Sequence, residues 1–439
     1  MSETPANMRR LGRLRVLQAL TELGEVSRGD LLRYTGLSRA TISSLIGDLI
    51  REGIVREQSA GSAKPGRQPD VTAREQNAVS AKPSREPALA AREQSAVSSH
   101  LVGEPPHREP GTPSRLGRPP QVISFVPEAG YAFGLDIGHD HARLVLSDLT
   151  GTPVWDDSVD LDVDSSADAT VSAAAELVEA ALEEVDRSLV LGLGVGIACP
   201  VDRRTGVLRA EGIMPAWVGA KPAEMLTDRT GLRTLVVNDA NACVVAERRY
   251  GVARACDDVV YLRLSAGIGA GVVCDGQMLL GHDGLVGELG HISIDPNGEV
   301  CRCGNRGCLE TIASPSAIAR LLSRSWGRVV TNAELMALLL AGDRGAVRAV
   351  EDAGEAVGRT LAMTVMALNP ELVVVGGELA AAGDVLFDPI RRALRRNALS
   401  DLHGELRILH SALGDSASAR GAAALVLAEA PNLLTIDKV

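Results

Sequence analysis

One histidine and three cysteines, His291, Cys301, Cys303 and Cys308, crowd into a single short stretch of the chain. Thiolate sulfur and imidazole nitrogen suit tetrahedral zinc, and four protein ligands leave no open position for a metal-bound water. The expected ion therefore shapes a loop, residues 291–308, and hydrolyses nothing. Ordinary buried cysteine is the competing reading, but the other four, Cys199, Cys243, Cys256 and Cys274, lie singly. Gly304, Asn305 and Gly307 permit the sharp turn a small cage needs. A disulfide is less expected, because the chain opens on Met-Ser-Glu-Thr-Pro with no apolar leader, which points to the reducing cytoplasm.

The 439 residues exceed one compact core and are consistent with two or three folded units. No apolar run reaches membrane-spanning length; the longest, Leu189 to Val201, is broken by glycine and reads as a buried strand. The net charge of −11 is uneven. Residues 1–56 hold nine basic and six acidic side chains, residues 57–120 nine and seven, and the rest is strongly acidic. A mildly basic head on an acidic body directs any polyanion to the amino-terminal end.

Leu14, Val16, Leu17 and Leu20 mark a first helix of that head, ended by Gly24. Ser27 with Asp30 three residues on forms a capping arrangement that opens a second helix through Tyr34, and Gly36 forces a turn. Ser38 can cap a third helix, in which Ile42, Leu45, Ile46 and Leu49 share one face and Ala40, Ser43, Ser44 and Gly47 the other. Helix, turn and helix with glycine in the connection is a DNA-reading arrangement. Ser38, Arg39, Thr41, Ser43 and Ser44 are the candidate contacts. A three-helix module that binds protein is the alternative. Gly117-Arg118-Pro119-Pro120 leads into an alternating run, Gln121 to Val126, that would make a wing carrying Arg118 toward phosphate or minor groove.

Arg56-Glu57-Gln58-Ser59-Ala60 recurs at Arg74 to Ala78 and at Arg92 to Ala96, a period of 18 residues. Three polar copies bury no core, so residues 57–116 read as a disordered insertion in the wing. The head is then residues 1–56 with 117–126. From residue 127 to 439 strands and helices alternate: strands at 131–138, 142–148, 189–197, 259–264, 270–274 and 372–375, helices at 167–184 and 346–368. This is an α/β body in two lobes.

Gly284 to His291 (GLVGELGH), Cys301 to Glu310 (CRCGNRGCLE), Val237 to Asn241 (VNDAN), Asn369 to Gly377 (NPELVVVGG) and the closing Gly414-Asp415-Ser416-Ala417 together resemble the ROK family of repressors and sugar kinases. The resemblance covers nearly the whole chain apart from the insertion. It implies an actin-like, ribonuclease-H-like sugar-kinase fold of two lobes around a cleft, with a winged helix-turn-helix in front. It implies sugar ligands at Asn238, Asp239, Glu288, His291 and Glu310, and zinc at His291, Cys301, Cys303 and Cys308. Carboxylates and amides suit a ring of hydroxyls, although Asn238 and Asp239 also stand where helix caps stand.

Kinase members of the family use the equivalent of Asp239 as general base and two glycine-threonine turns around ATP. Here the first turn reads Asp136-Ile137-Gly138-His139-Asp140 and the second Ser265-Ala266-Gly267-Ile268-Gly269. Both lack the threonine hydroxyl, and Asp140 would repel phosphate, so Asp136, Gly138, Gly267 and Gly269 are remnants of degenerate phosphate loops. The expectation is a cytoplasmic, sugar-responsive transcriptional regulator, not an enzyme. It would be a repressor that grips operator DNA as a homodimer or homotetramer and lets go when sugar binds. The rival is an active sugar kinase with a DNA-binding head, in which Asp239 would be catalytic.

Overall fold

The computed structural model describes residues 5–59, 121–209, 211–402 and 406–435. The head opens with α1 (Pro5–Leu23), β1 (Val26–Ser27), α2 (Arg28–Thr35) and α3 (Arg39–Arg51), followed by β2 (Val55–Ser59) and β3 (Gln121–Phe125). Local chemistry explains the helix starts. Ser27 Oγ accepts from the Asp30 amide while an Asp30 carboxylate oxygen accepts from the Ser27 amide, a reciprocal capping box. Gly36 takes φ +69°, a left-handed conformation that turns the chain from α2 toward α3. Ser38 Oγ then accepts from Thr41 N at 3.1 Å. The three strands form a sheet in the order β1-β3-β2.

Residues 57–59 belong to β2 rather than to an insertion, since hydrogen bonding to a neighbouring strand carries the chain extended through Ser59. The repeats at 74–78 and 92–96, Arg118 and the remainder of the expected insertion lie outside the described residues.

The body repeats one plan twice. Its first lobe contains β4 (Tyr131–Ile137), β5 (His141–Asp148), β6 (Pro153–Asp160), α4 (Ala167–Ala181), β7 (Val190–Ile197), α5 (Pro222–Thr230) and β8 (Thr234–Asn238). The sheet order is β6-β5-β4-β7-β8, with β4, β5 and β6 antiparallel and β4, β7 and β8 parallel. Helix α6 (Asp239–Tyr250) leads to the second lobe: β9 (Val259–Leu264), β10 (Ile268–Cys274), β11 (Gln277–Met278), α7 (Glu310–Ala313), α8 (Pro315–Trp326), α9 (Asn332–Leu340), α10 (Arg344–Leu368), β12 (Leu372–Gly376), α11 (Asp384–Asn397) and β13 (Arg407–His410). Its order, β11-β10-β9-β12-β13, has the same pattern of directions. This duplicated α/β plan is the fold that the resemblance implies.

Each lobe buries its own apolar core, around Phe133, Leu135 and Trp217 in the first and around Leu262, Val373 and Phe387 in the second. Helices α12 (Ala417–Ala428) and α13 (Ala430–Leu433) close the chain. The start of α12 crosses β4 and β7 at glycines: a Cβ added to Gly134 would stand 1.8 Å from Ala419 O, and one on Gly194 2.0 Å from Ala422 O. Its far half, with Val426 and Leu427, together with Ala430 of α13, completes one core with Leu17, Ile46 and Leu49 of the head. Arg13 adds a hydrogen bond to Leu434 O at 3.0 Å.

Candidate functional site

A cleft of about 620 Å³ opens between the lobes where β4, β8 and β9 end. Asn238, Asp239, Glu288, His291 and Glu310, far apart in sequence, all line it. Asn238 Oδ1 accepts from Ala240 N at 3.0 Å and Asn241 N at 3.3 Å, so this oxygen caps α6. Asp239 opens the same helix; Oδ1 accepts from Ala240 N at 2.7 Å, and Oδ2 pairs with Arg263 Nε at 3.1 Å. Burial raises the Asp239 carboxyl above its ordinary value, and the Arg263 charge offsets only part of that.

Glu310 is held from two sides, by Arg302 Nε at 2.9 Å and Ile268 N at 3.1 Å. Gly267 makes this approach feasible, because a Cβ there would stand 3.0 Å from Glu310 Oε2. Glu288 accompanies them with its carboxyl pushed up to about 7, by burial first and then by the charges of Asp239 and Glu310. Near neutral pH Glu288 can thus donate as well as accept, which suits paired hydrogen bonds to hydroxyls.

His291, Cys301, Cys303 and Cys308 come together so that one ligand atom from each lies within 4.8 Å of every other. Cys301 Sγ stands 3.6 Å from His291 Nδ1, and Cys303 Sγ 3.7 Å from Cys308 Sγ. A tetrahedral ion with bonds of about 2.3 Å to sulfur and about 2.0 Å to nitrogen requires ligand separations of about 3.5–3.8 Å. The donor set and spacing therefore fit a metal ion. His291 Nε2 faces the other way, 3.9 Å from Glu288 Oε2. One ring thus joins the cage to the cleft.

The two turns that line the cleft have a different character. Gly138 belongs to the first, Gly267 and Gly269 to the second. In the first turn His139 Nδ1 meets Asp164 Oδ1 at 2.9 Å, while His141 reaches Asp140 Oδ1 at 2.9 Å and Asp136 Oδ2 at 3.2 Å. Those two carboxylates raise His141 to about 9. Burial pushes Asp136 up, but Arg263 and His141 outweigh it and hold this carboxyl well below the usual range. Glu378 is raised by burial and by the neighbouring charges of Asp140 and Asp415. Asp140, Glu378 and Asp415 thus lie close together beside the first turn.

Arg263 is the residue that sequence reasoning missed. Its guanidinium is nearly buried and touches both Asp136 and Asp239. The available signal was a charged side chain within the otherwise apolar strand Val259–Leu264.

On the head, Ser38, Arg39, Thr41, Ser43 and Ser44 are all exposed along the start and outer face of α3. Ser38 is engaged as the cap of that helix. Arg28, also unforeseen, reaches Ser43 Oγ at 3.1 Å and adds a cation to this face.

Two lobes of duplicated topology, a cleft lined by carboxylates with a His/Cys cluster that could hold a metal ion at its rim, and a helix-turn-helix head define a regulator built on the sugar-kinase plan. The chain belongs to the ROK family, whose model matches residues 132–429, and the MarR family model matches residues 8–65. It is 24% identical over 423 residues to the xylose repressor of Bacillus subtilis, covering 96% of both chains. It is 33% identical over 264 residues to a glucokinase of Thermotoga maritima, covering 57% of this chain and 83% of that one. A crystal structure of a ROK family transcriptional regulator, a homologue of the Escherichia coli MLC protein, superposes with a TM-score of 0.70 over 97% of this chain and 98% of that one, at 24% identity. Among the described residues no helix is long and apolar enough to cross a membrane.

Proposed function

We propose that the chain is a sugar-responsive transcriptional repressor, whose head grips operator DNA as a homodimer or homotetramer and releases it when a sugar fills the cleft. The observation that carries this reading is the convergence of Asp239, Glu288, Glu310 and His291 on one cleft, whose lining also includes Asp140 and Asp415 beside Glu378. The xylose repressor matches head and body together, whereas the glucokinase matches 57% of the chain. The α3 face would enter the major groove, with Arg39, Thr41, Ser43 and Ser44 toward base edges and phosphates.

The ligand is a neutral polyol. The cleft is lined by seven carboxylates (Asp140, Asp160, Asp239, Glu288, Glu310, Glu378, Asp415) against three arginines (Arg143, Arg263, Arg302). Each arginine already has a carboxylate partner, and His141 is taken up by Asp136 and Asp140, so no arginine is left over for a phosphorylated sugar. Zinc is the ion the cage suits; held by His291, Cys301, Cys303 and Cys308, it would supply rigidity rather than chemistry. His291 and Glu310 flank the loop, so a fixed cage keeps the ligand carboxylates in register.

Melting the full chain with D-xylose, D-glucose and N-acetyl-D-glucosamine tests the reading. A sugar at about 100 times its Kd adds about 2.7 kcal/mol, which raises the melting temperature by several degrees, and the same sugar should release the protein from a duplex selected out of a random pool. A coupled assay with ATP should show no turnover. Phosphorylation of any of these sugars at ordinary kinase rates, lost in Asp239→Asn, would reverse the reading in favour of an enzyme.

A further inference from the structure

We propose that Arg263 is the cleft's built-in cation: it stands where a divalent ion would have to sit to serve both Asp136 and Asp239, ties the two lobes together, and holds Asp239 in place for the sugar. Only the last of these roles rests on the sugar-sensor reading above.

The geometry is that of a bridge. Arg263 lies on β9 of the second lobe, whereas Asp136 ends β4 and Asp239 follows β8, both strands of the first lobe. Nη2 donates to Asp136 Oδ2 at 3.2 Å, and Nε faces Asp239 Oδ2 at 3.1 Å. A guanidinium usually grips one carboxylate through both oxygens; this one is divided between two residues.

Electrostatics makes the arrangement obligatory. Two buried carboxylates that share one small space repel each other unless a cation lies between them. Magnesium would demand near-octahedral oxygen ligands at about 2.0–2.1 Å, and the guanidinium occupies that space. Arg263 cancels one of the two charges and His141, 3.2 Å from Asp136 Oδ2, offsets the other, so the pair is balanced by side chains and the guanidinium fills the place a metal would need. Asp239 retains acceptor capacity beyond its contacts with Ala240 N and Arg263, and that capacity is what a sugar hydroxyl would use.

The test uses the full-length chain, melted with and without millimolar magnesium chloride and with the sugar panel. The parent should ignore magnesium. Arg263→Met should melt lower and regain stability with magnesium, because its bared carboxylates recruit the ion; its sugar affinity without magnesium should fall at least about tenfold, the scale of one charged hydrogen bond. A parent stabilised by magnesium as strongly as Arg263→Met overturns the proposal, as does an Arg263→Met protein with parental stability and sugar response. Should Arg263→Met fail to fold, Arg263→Met combined with Asp136→Asn removes one charge of each sign. That protein should fold, ignore magnesium and bind the sugar at least about tenfold more weakly; sugar binding at the parental level overturns the proposal. If no sugar moves the parent, the sensor reading fails by itself, and the magnesium arm still decides on Arg263.

Discussion

Two hairpins hold the same place in the two lobes, β4–β5 in the first and β9–β10 in the second, each adjoining the central strand of its sheet. Their turns have opposite characters. The first is filled by His139, Asp140 and His141, each bound to a carboxylate or imidazole partner. The second, Ser265–Gly267, has small side chains and admits Glu310 and Arg302 to its backbone. One backbone frame thus carries an ion-paired turn in one lobe and a small, uncharged turn in the other. Topology fixes where a turn lies; its side chains decide what it can hold.

The contrast breaks most completely at the metal cage. Cys303→Ser, or chelation of the parent, should abolish the melting shift given by sugar while Glu288 and Glu310 lose their register, with DNA binding retained; an unchanged shift would separate the cage from the cleft. Next come the ligand carboxylates. Asp239→Asn or Glu310→Gln should weaken sugar about ten- to hundredfold, since a hydrogen bond to a charged group contributes about 1.5–3 kcal/mol, and should leave operator affinity alone; calorimetry and gel shift read the two separately. Arg39→Ala should lower operator affinity and reduce the salt-dependence slope by about 0.9 if the side chain meets a phosphate, with the sugar shift intact. The smallest effect concerns the ion-paired hairpin. His141 is raised from 6.5 to about 9, so its stabilisation is complete below pH 6.5 and fades as pH rises toward 9. The melting temperature of His141→Gln should therefore decline less than the parent's over that interval, and parallel curves would remove His141 from the ion pairing.

Legibility in the sequence followed the strength of local patterns. Ile42, Leu45, Ile46 and Leu49 marked the buried face of α3, and Ser27 with Asp30 marked the cap of α2; both are present as read. The spacing of His291 and the three cysteines marked a cluster, and the fold brings the four side chains together. Strand β6 escaped notice because Pro153–Asp160 lies at a sheet edge and is largely polar. Helix α12 escaped because its run of alanines and glycine is buried on nearly every side and shows no stripe. Arg263 looked like an ordinary strand residue, and only the meeting of β4, β9 and α6 shows what it neutralises.

The glycines beneath α12 have a mechanical consequence. At Gly134 and Gly194 the helix rests backbone against backbone, with no side chain between to act as a cushion. A rod seated so tightly has little room to rock on the sheet. Its other end is embedded among the leucines of the head, so strands, helix and head form one continuous packed column.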